Sequence, residues 1–202
     1  MKKILTLAAV ALLAGGTSAA LAQADQSAQA LATGVCSSCH GPEGHSISPV
    51  FPNLAGQQSA YIVLQLDAFR GKLRGDPNAQ AYMWGMASQL SDATIKGLAD
   101  YYAAQKPAAG KPGAPALIAE GRKIFEQGIP SKKVQACAAC HGANAEGAAV
   151  FPRLAGQHVE YLIGQLEGFK TGARSNAPIM INEVRDMTPA EMRAVATYAA
   201  SK

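Results

Sequence analysis

Two short stretches, "VCSSCHG" (residues 35–41) and "ACAACHG" (residues 136–142), concentrate the reactive side chains of this 202-residue chain. Between them they hold all four cysteines and two of the four histidines. Two thiols three residues apart on one helical turn can each add across a vinyl group of a porphyrin, forming two thioethers. A histidine that follows at once then lies under the iron and can bind it axially. Cys36, Cys39 and His40 would do this in the first stretch, and Cys137, Cys140 and His141 in the second. The same cysteines suit other chemistry. A redox disulfide of the thioredoxin kind wants a βαβ setting. A structural zinc wants four ligands gathered at one point, and a plain disulfide suits an oxidising compartment. None of these explains why a histidine trails both pairs. Two haem c groups, one per motif, are the expectation.

The opposite face of each iron needs its own ligand, and electron-transfer haems use Met or His there. His45 stands five residues from His40, too close to reach the far face, and His158 has no histidine counterpart in the first half. Both read as surface residues. An internal repeat sorts the methionines. "VFPNLAGQ" and "VFPRLAGQ" differ at one position in eight, and the register around them holds for more than sixty residues. Leu90 and Met187 are equivalent in it. Met83 and Met180 each lie seven residues upstream of them and form the methionine pair in register. Both are expected in loops before the last helix of each half. Met86, in "YMWGMAS", competes with Met83. Pro52 and Pro152 stand where a carbonyl could accept the free N–H of each proximal histidine, although the same prolines could serve only to shape the loop.

These residues need a frame, and the repeat supplies one: two domains, residues 25–105 and 117–202, joined by a Pro/Gly-rich linker at 106–116. Helical spacing runs through both copies and no alternating strand pattern longer than a few residues appears, so the class is all-α. The last helix of the second copy has a full start signal, with Thr188 to cap, Pro189 at the first position and Glu191 closing a capping box. Its apolar face is Met192, Val195 and Tyr198; the first copy repeats the pattern from Ser91 with Ile95, Leu98 and Tyr102. Phe and Trp together number only six. Domains of this size gain little from a protein-only core, and a buried porphyrin would supply the missing apolar surface.

The chain opens with two lysines, a short apolar run and small residues. This pattern predicts a signal peptide over 1–24, cleaved after Ala22 or Ala24. Residues 25–105 carry four basic and six acidic side chains, and residues 117–202 carry ten and eight. So even a balance leaves no footprint for nucleic acid. It gives the two halves opposite sign, which bears on how partners are steered.

Taken together, the leader, the two Cys-x-x-Cys-His motifs, the paired "FP-x-LAGQ" segments and the methionine seven residues upstream resemble the di-haem cytochrome c4 family. The resemblance covers both domains. It implies two cytochrome c-like folds packed face to face around two covalently bound haems, with His40 and Met83 on one iron and His141 and Met180 on the other. It further implies a periplasmic, non-enzymatic role. Single electrons would pass from a respiratory donor such as a cytochrome bc1 complex to an acceptor such as a terminal oxidase, with peripheral membrane association compatible. A dedicated cytochrome subunit of a dehydrogenase is the alternative, and a peroxidase-like di-haem enzyme a weaker one. That weaker reading needs one open iron and acid–base groups beside it. Neither copy repeats such a group.

Overall fold

The computed structural model describes residues 28–202; the expected signal peptide lies outside the described residues. The N-terminal lobe is built from four helices. Helix α1 spans 28–40, and its five-residue π-helical stretch Ala32–Cys36 runs directly into the Ser37–His40 turn. Helix α2 is Ser59–Arg70, α3 spans 77–87 with a π-helical Ala79–Met83 at its centre, and α4 is Asp92–Ala103. The C-terminal lobe repeats the order with α5 (Pro115–Gln127), α6 (Ala138–His141), α7 (Val159–Thr171), α8 (Pro178–Val184) and α9 (Pro189–Ala200). Among the described residues there is no β-strand, only two isolated bridges, Ile129 with Val134 and Ala148 with Phe151.

The helix starts follow from their caps. Thr188 Oγ1 accepts from the Glu191 N–H at 3.2 Å while the Glu191 carboxylate accepts from the Thr188 N–H at 2.6 Å, the reciprocal box expected of "TPAE". Ser91 caps α4 through the Thr94 N–H at 3.1 Å. The expected apolar faces are buried: Met192, Val195 and Tyr198 on α9, and Ile95, Leu98 and Tyr102 on α4. Helices α5 and α9 cross at Gly121, where any Cβ would collide with the Ala194 carbonyl; glycine is what permits that approach. The buried apolar side chains form one cluster in the C-terminal lobe and two in the N-terminal lobe, and none of the three clusters crosses between lobes.

The glycine of each "LAGQ" ties these pieces together. Gly56 donates its N–H to the Tyr102 carbonyl at 2.8 Å and Gly156 donates to Ala200 at 3.2 Å, each docking its loop on the end of the last helix of its lobe. Both have positive φ, and both press against the connecting segment, Gly56 on Pro107 and Gly156 on Ala108. The irregular connection after α4 is therefore packed on both lobes.

Candidate functional site

Each Cys-x-x-Cys-His motif forms the last turn of a helix and delivers its histidine to the wall of one cavity of about 890 Å³ between the lobes. His40 and His141 are both buried. His40 Nδ1 lies 2.9 Å from the Pro52 carbonyl, and His141 Nδ1 lies 3.0 Å from the Pro152 carbonyl. An Nδ1–H donating there fixes the tautomer and leaves the Nε2 lone pair free to bind a metal. Burial lowers both imidazole pKa values below the ordinary range, against the opposing pull of the proline carbonyls. Neutral rings are the form a metal requires. Phe51 and Phe151 brace the two rings edge-on, at centroid distances of 6.0 and 6.4 Å.

The four thiols are not joined in disulfides. Cys36 and Cys137 line the cavity half-buried. Burial raises the Cys36 pKa and pushes that of Cys137 up to about 11, so both are protonated at neutral pH. Among the described residues no group of three or more His, Cys, Asp or Glu could hold a metal ion, so the two pairs do not meet as a zinc tetrad.

Met83 and Met180 both reach the same cavity, half-buried. They were expected in loops. Instead Met83 ends the π-helical stretch of α3 and Met180 lies inside α8. Prolines at the first helical turn, Pro77 and Pro178, are the start signals of these two helices. Met86 is 60% exposed and does not line the cavity. His158, expected at the surface, is half-buried between the lobes with Nε2 3.0 Å from the Ser46 carbonyl. Tyr82 packs edge-on against Phe51 at 5.3 Å, and Trp84 donates its indole N–H to the Arg74 carbonyl at 2.8 Å.

The cavity suits a porphyrin. Its wall is largely apolar, from Leu54, Ile62 and Phe69 in one lobe to Leu154, Leu162 and Phe169 in the other, while cations enter from the lobe boundary. Tyr102 Oη and Arg153 Nε are buried without a hydrogen-bond partner among the described residues, and both residues line the cavity. A flat apolar ring with carboxylate arms matches an apolar cleft that holds an unsatisfied guanidinium N–H.

The lobe boundary itself was not legible in the sequence. Gln57 reads the backbone of Arg153, donating to its carbonyl at 3.0 Å and accepting from its N–H at 2.7 Å. Gln157 does the same to Asn53, at 3.0 and 2.9 Å. Behind this double clamp lie two buried arginines. Arg74 donates to Tyr161 Oη at 3.2 Å and Gln165 Oε1 at 2.6 Å; Arg174 donates to Tyr61 Oη at 2.9 Å and Gln65 Oε1 at 3.0 Å. Burial alone would raise the Tyr61 pKa, but the Arg174 and Arg74 charges outweigh it and lower it. For Arg74, burial is outweighed by Tyr161, Tyr61 and Asp76, and its pKa is raised. Tyr, Gln and Arg recur at one constant offset in both copies, and that recurrence was the available signal.

Two tandem helical lobes, each turning a Cys-x-x-Cys-His helix end toward a shared apolar cavity, make this a c-type cytochrome with two haem sites. The comparisons agree. The sequence pattern described as "Cytochrome c" matches residues 26–105 and again 118–201. Cytochrome c-552 of Acidithiobacillus ferridurans is 40% identical over 203 residues, which cover 99% of this chain and 87% of that protein. A thiosulfate dehydrogenase electron acceptor from Thiomonas intermedia is 35% identical over 210 residues, covering 100% and 92%. The solved structure of cytochrome c4 from Acidithiobacillus ferrooxidans superposes with a TM-score of 0.78 at 42% identity, covering 83% of this chain and 98% of that one. The chain belongs to the cytochrome c family and, within it, to the cytochromes c4. It binds two haem c groups and is an electron carrier rather than an enzyme, acting on redox partners. No helix among the described residues is long and apolar enough to cross a membrane.

Proposed function

We propose that this protein shuttles single electrons in the periplasm between a respiratory donor, such as a cytochrome bc1 complex, and an acceptor such as a terminal oxidase. In this reading Cys36 and Cys39 anchor one haem and Cys137 and Cys140 the other. His40 and Met83 are the axial pair in the N-terminal lobe, and His141 and Met180 in the C-terminal lobe. The haems that these residues would hold would supply one-electron chemistry between ferric and ferrous iron. The chain's own residues do the rest. The proline carbonyls hold each imidazole in its ligating tautomer, the apolar walls exclude water, and the methionines favour the reduced form.

The observation that carries the reading is that, in each lobe, a buried neutral histidine and the methionine in register line one apolar cavity. The leader over residues 1–24 is the reason for placing the protein in the periplasm. A redox titration of the purified protein, with carbon monoxide added to the reduced form, tests the ligands. Two high-potential transitions without carbon monoxide binding are expected. A haem that binds carbon monoxide would have an open iron and would overturn the axial assignment in that lobe.

The Thiomonas intermedia relative named as a thiosulfate dehydrogenase electron acceptor favours a second reading, in which this chain serves one dehydrogenase. Stoichiometric co-purification with a dehydrogenase from the native periplasm would select it over the free carrier.

A further inference from the structure

The two methionines of "YMWGM" stand three residues apart, and the fold gives them opposite surroundings. On α3, Ala79, Met83 and Ala87 follow one another at four-residue spacing and face inward. Ala79 and Ala87 are buried, and Met83 packs with them and Phe69 in one apolar cluster. Trp84 fixes the roll of the helix. Its indole N–H bonds the Arg74 carbonyl at 2.8 Å, and the Lys72 ammonium lies 5.6 Å from its ring centroid. Tyr82 and Met86, also four residues apart, are thereby turned to solvent, 46% and 60% exposed.

Among the described residues Met86 is the one openly accessible thioether. Met83 and Met180 are half-buried, and Met187 and Met192 are buried. The second copy offers no such group, because Glu183 stands in register with Met86 and its carboxylate accepts the Gln135 N–H at 2.7 Å. A thioether sulfur reacts with a hydroperoxide by attacking the O–O bond. An S–O bond forms as the O–O bond breaks, and the sulfur is oxidised by two electrons while the peroxide is reduced. The proton on the transferred oxygen passes to the departing one, which leaves as water when the oxidant is hydrogen peroxide. The sulfur must have a free lone pair and an open approach. Met86 has both, whereas an axial methionine gives a lone pair to iron and lies half-covered. Oxygen on an axial sulfur would cost the iron its ligand.

We propose that Met86 is a sacrificial oxidation site, which takes the oxygen of a scarce hydroperoxide and so spares the axial sulfurs of Met83 and Met180. The resulting sulfoxide stands on the solvent side of α3, where its added polarity disturbs neither the cluster around Met83 nor the cavity. It is also within reach of a reductase that returns the thioether. The inference rests on the axial assignments above. Met86 is neither a ligand nor a part of the electron path, and it protects only while oxidant is scarcer than protein.

The test treats the ferric holoprotein, wild type and Met86→Leu, with one equivalent of hydrogen peroxide. Peptide mass spectrometry then locates the added oxygen, and carbon monoxide is offered to the reduced product. In the wild type the oxygen should sit on Met86 in several-fold excess over Met83 and Met180, and carbon monoxide binding should stay at its untreated level. Leucine keeps the size and helix preference of methionine at this exposed position, so the variant should fold and carry electrons as before. In it the same equivalent should fall on the axial methionines, and carbon monoxide binding should rise several-fold. Oxygen on the axial sulfurs of the wild type with Met86 intact, or an equal carbon monoxide response in the two proteins, overturns this inference alone. Carbon monoxide binding before any peroxide is added would overturn the axial assignments and this inference with them.

Discussion

The two lobes build nearly the same site on unlike frames. The histidine-to-proline-carbonyl distances differ by only 0.1 Å, 2.9 against 3.0 Å. The helices that carry them differ. In the N-terminal lobe α1 runs without a break into the cysteine turn through a π-helical stretch. In the C-terminal lobe α5 stops at Gly128, whose positive φ turns the chain away, and a 3₁₀ turn at Pro130–Lys132 precedes the motif. Eight residues of α9 are buried against five of α4, and the C-terminal core is one cluster where the N-terminal core is two. After duplication, what stayed constant is the geometry that orients a ligand and the contacts that hold the lobes together. The scaffolds behind them diverged in packing and charge.

The largest break in this comparison should come from the methionines. Met180→Ala should open one iron of two, so that half of the reduced haem binds carbon monoxide and the C-terminal potential falls. Met83→Ala should do the same to the other half. Equal carbon monoxide binding by Met86→Ala would move the N-terminal ligand to that residue. Next come the cores. Phe125 is fully buried at the centre of the single C-terminal cluster, so Phe125→Ala should cost that lobe about 3–5 kcal/mol. Urea unfolding followed at each haem should show the C-terminal lobe melting first in this variant. Simultaneous loss of both lobes would mean that the interface, not the separate cores, sets cooperativity.

The interface is where the lobes should respond alike. Gln57→Ala and Gln157→Ala each remove a two-point bond to the opposite backbone and leave a peptide N–H unpaired, of Arg153 or of Asn53. Each should cost about 1–3 kcal/mol. A large inequality between them, read from urea midpoints at constant slope, would show that the clamp is symmetric in geometry and not in energy.

Much of this was legible in the sequence. The cysteine motifs, the paired methionines, the proline carbonyls and the Thr188 capping box all rest on short-range spacing, which a repeated sequence displays twice. The lobe boundary was not, because its signals are long-range. Nothing near Arg74 or Arg174 in the chain marks them as buried; the opposite lobe's tyrosine and glutamine do. His158 reads as exposed until Ser46, 112 residues away, is seen to accept from it. The helices bearing Met83 and Met180 were missed for another reason. They are short, and their stability comes from packing on the cavity rather than from any periodicity of their own.

The smallest expected difference lies in the helix caps, and it sharpens the comparison through pH. Helix α9 starts from a reciprocal box that Lys132 reinforces, its ammonium bonding both Glu191 oxygens at 2.8 Å, while α4 relies on Ser91 alone. Thr188→Ala should therefore cost about 1–2 kcal/mol, and Ser91→Ala about 0.5–1 kcal/mol. Burial would raise the Glu191 pKa, but the Lys132 ammonium and the Thr188 N–H outweigh it and hold the group below its ordinary value of 4.5. A carboxylate held lower in the folded state than in the unfolded one stabilises fully above the unfolded value. That contribution fades as pH falls through the folded value. The start of α9 should thus lose the Glu191 contribution between neutral pH and pH values below 4.5, a difference carried by the cap itself. Glu191→Gln should cancel the Glu191 part of that difference and, with it, the pH dependence of the Thr188→Ala cost. A cost of Thr188→Ala that stayed constant down through that range would show that the box contributes no charge-dependent stability to α9.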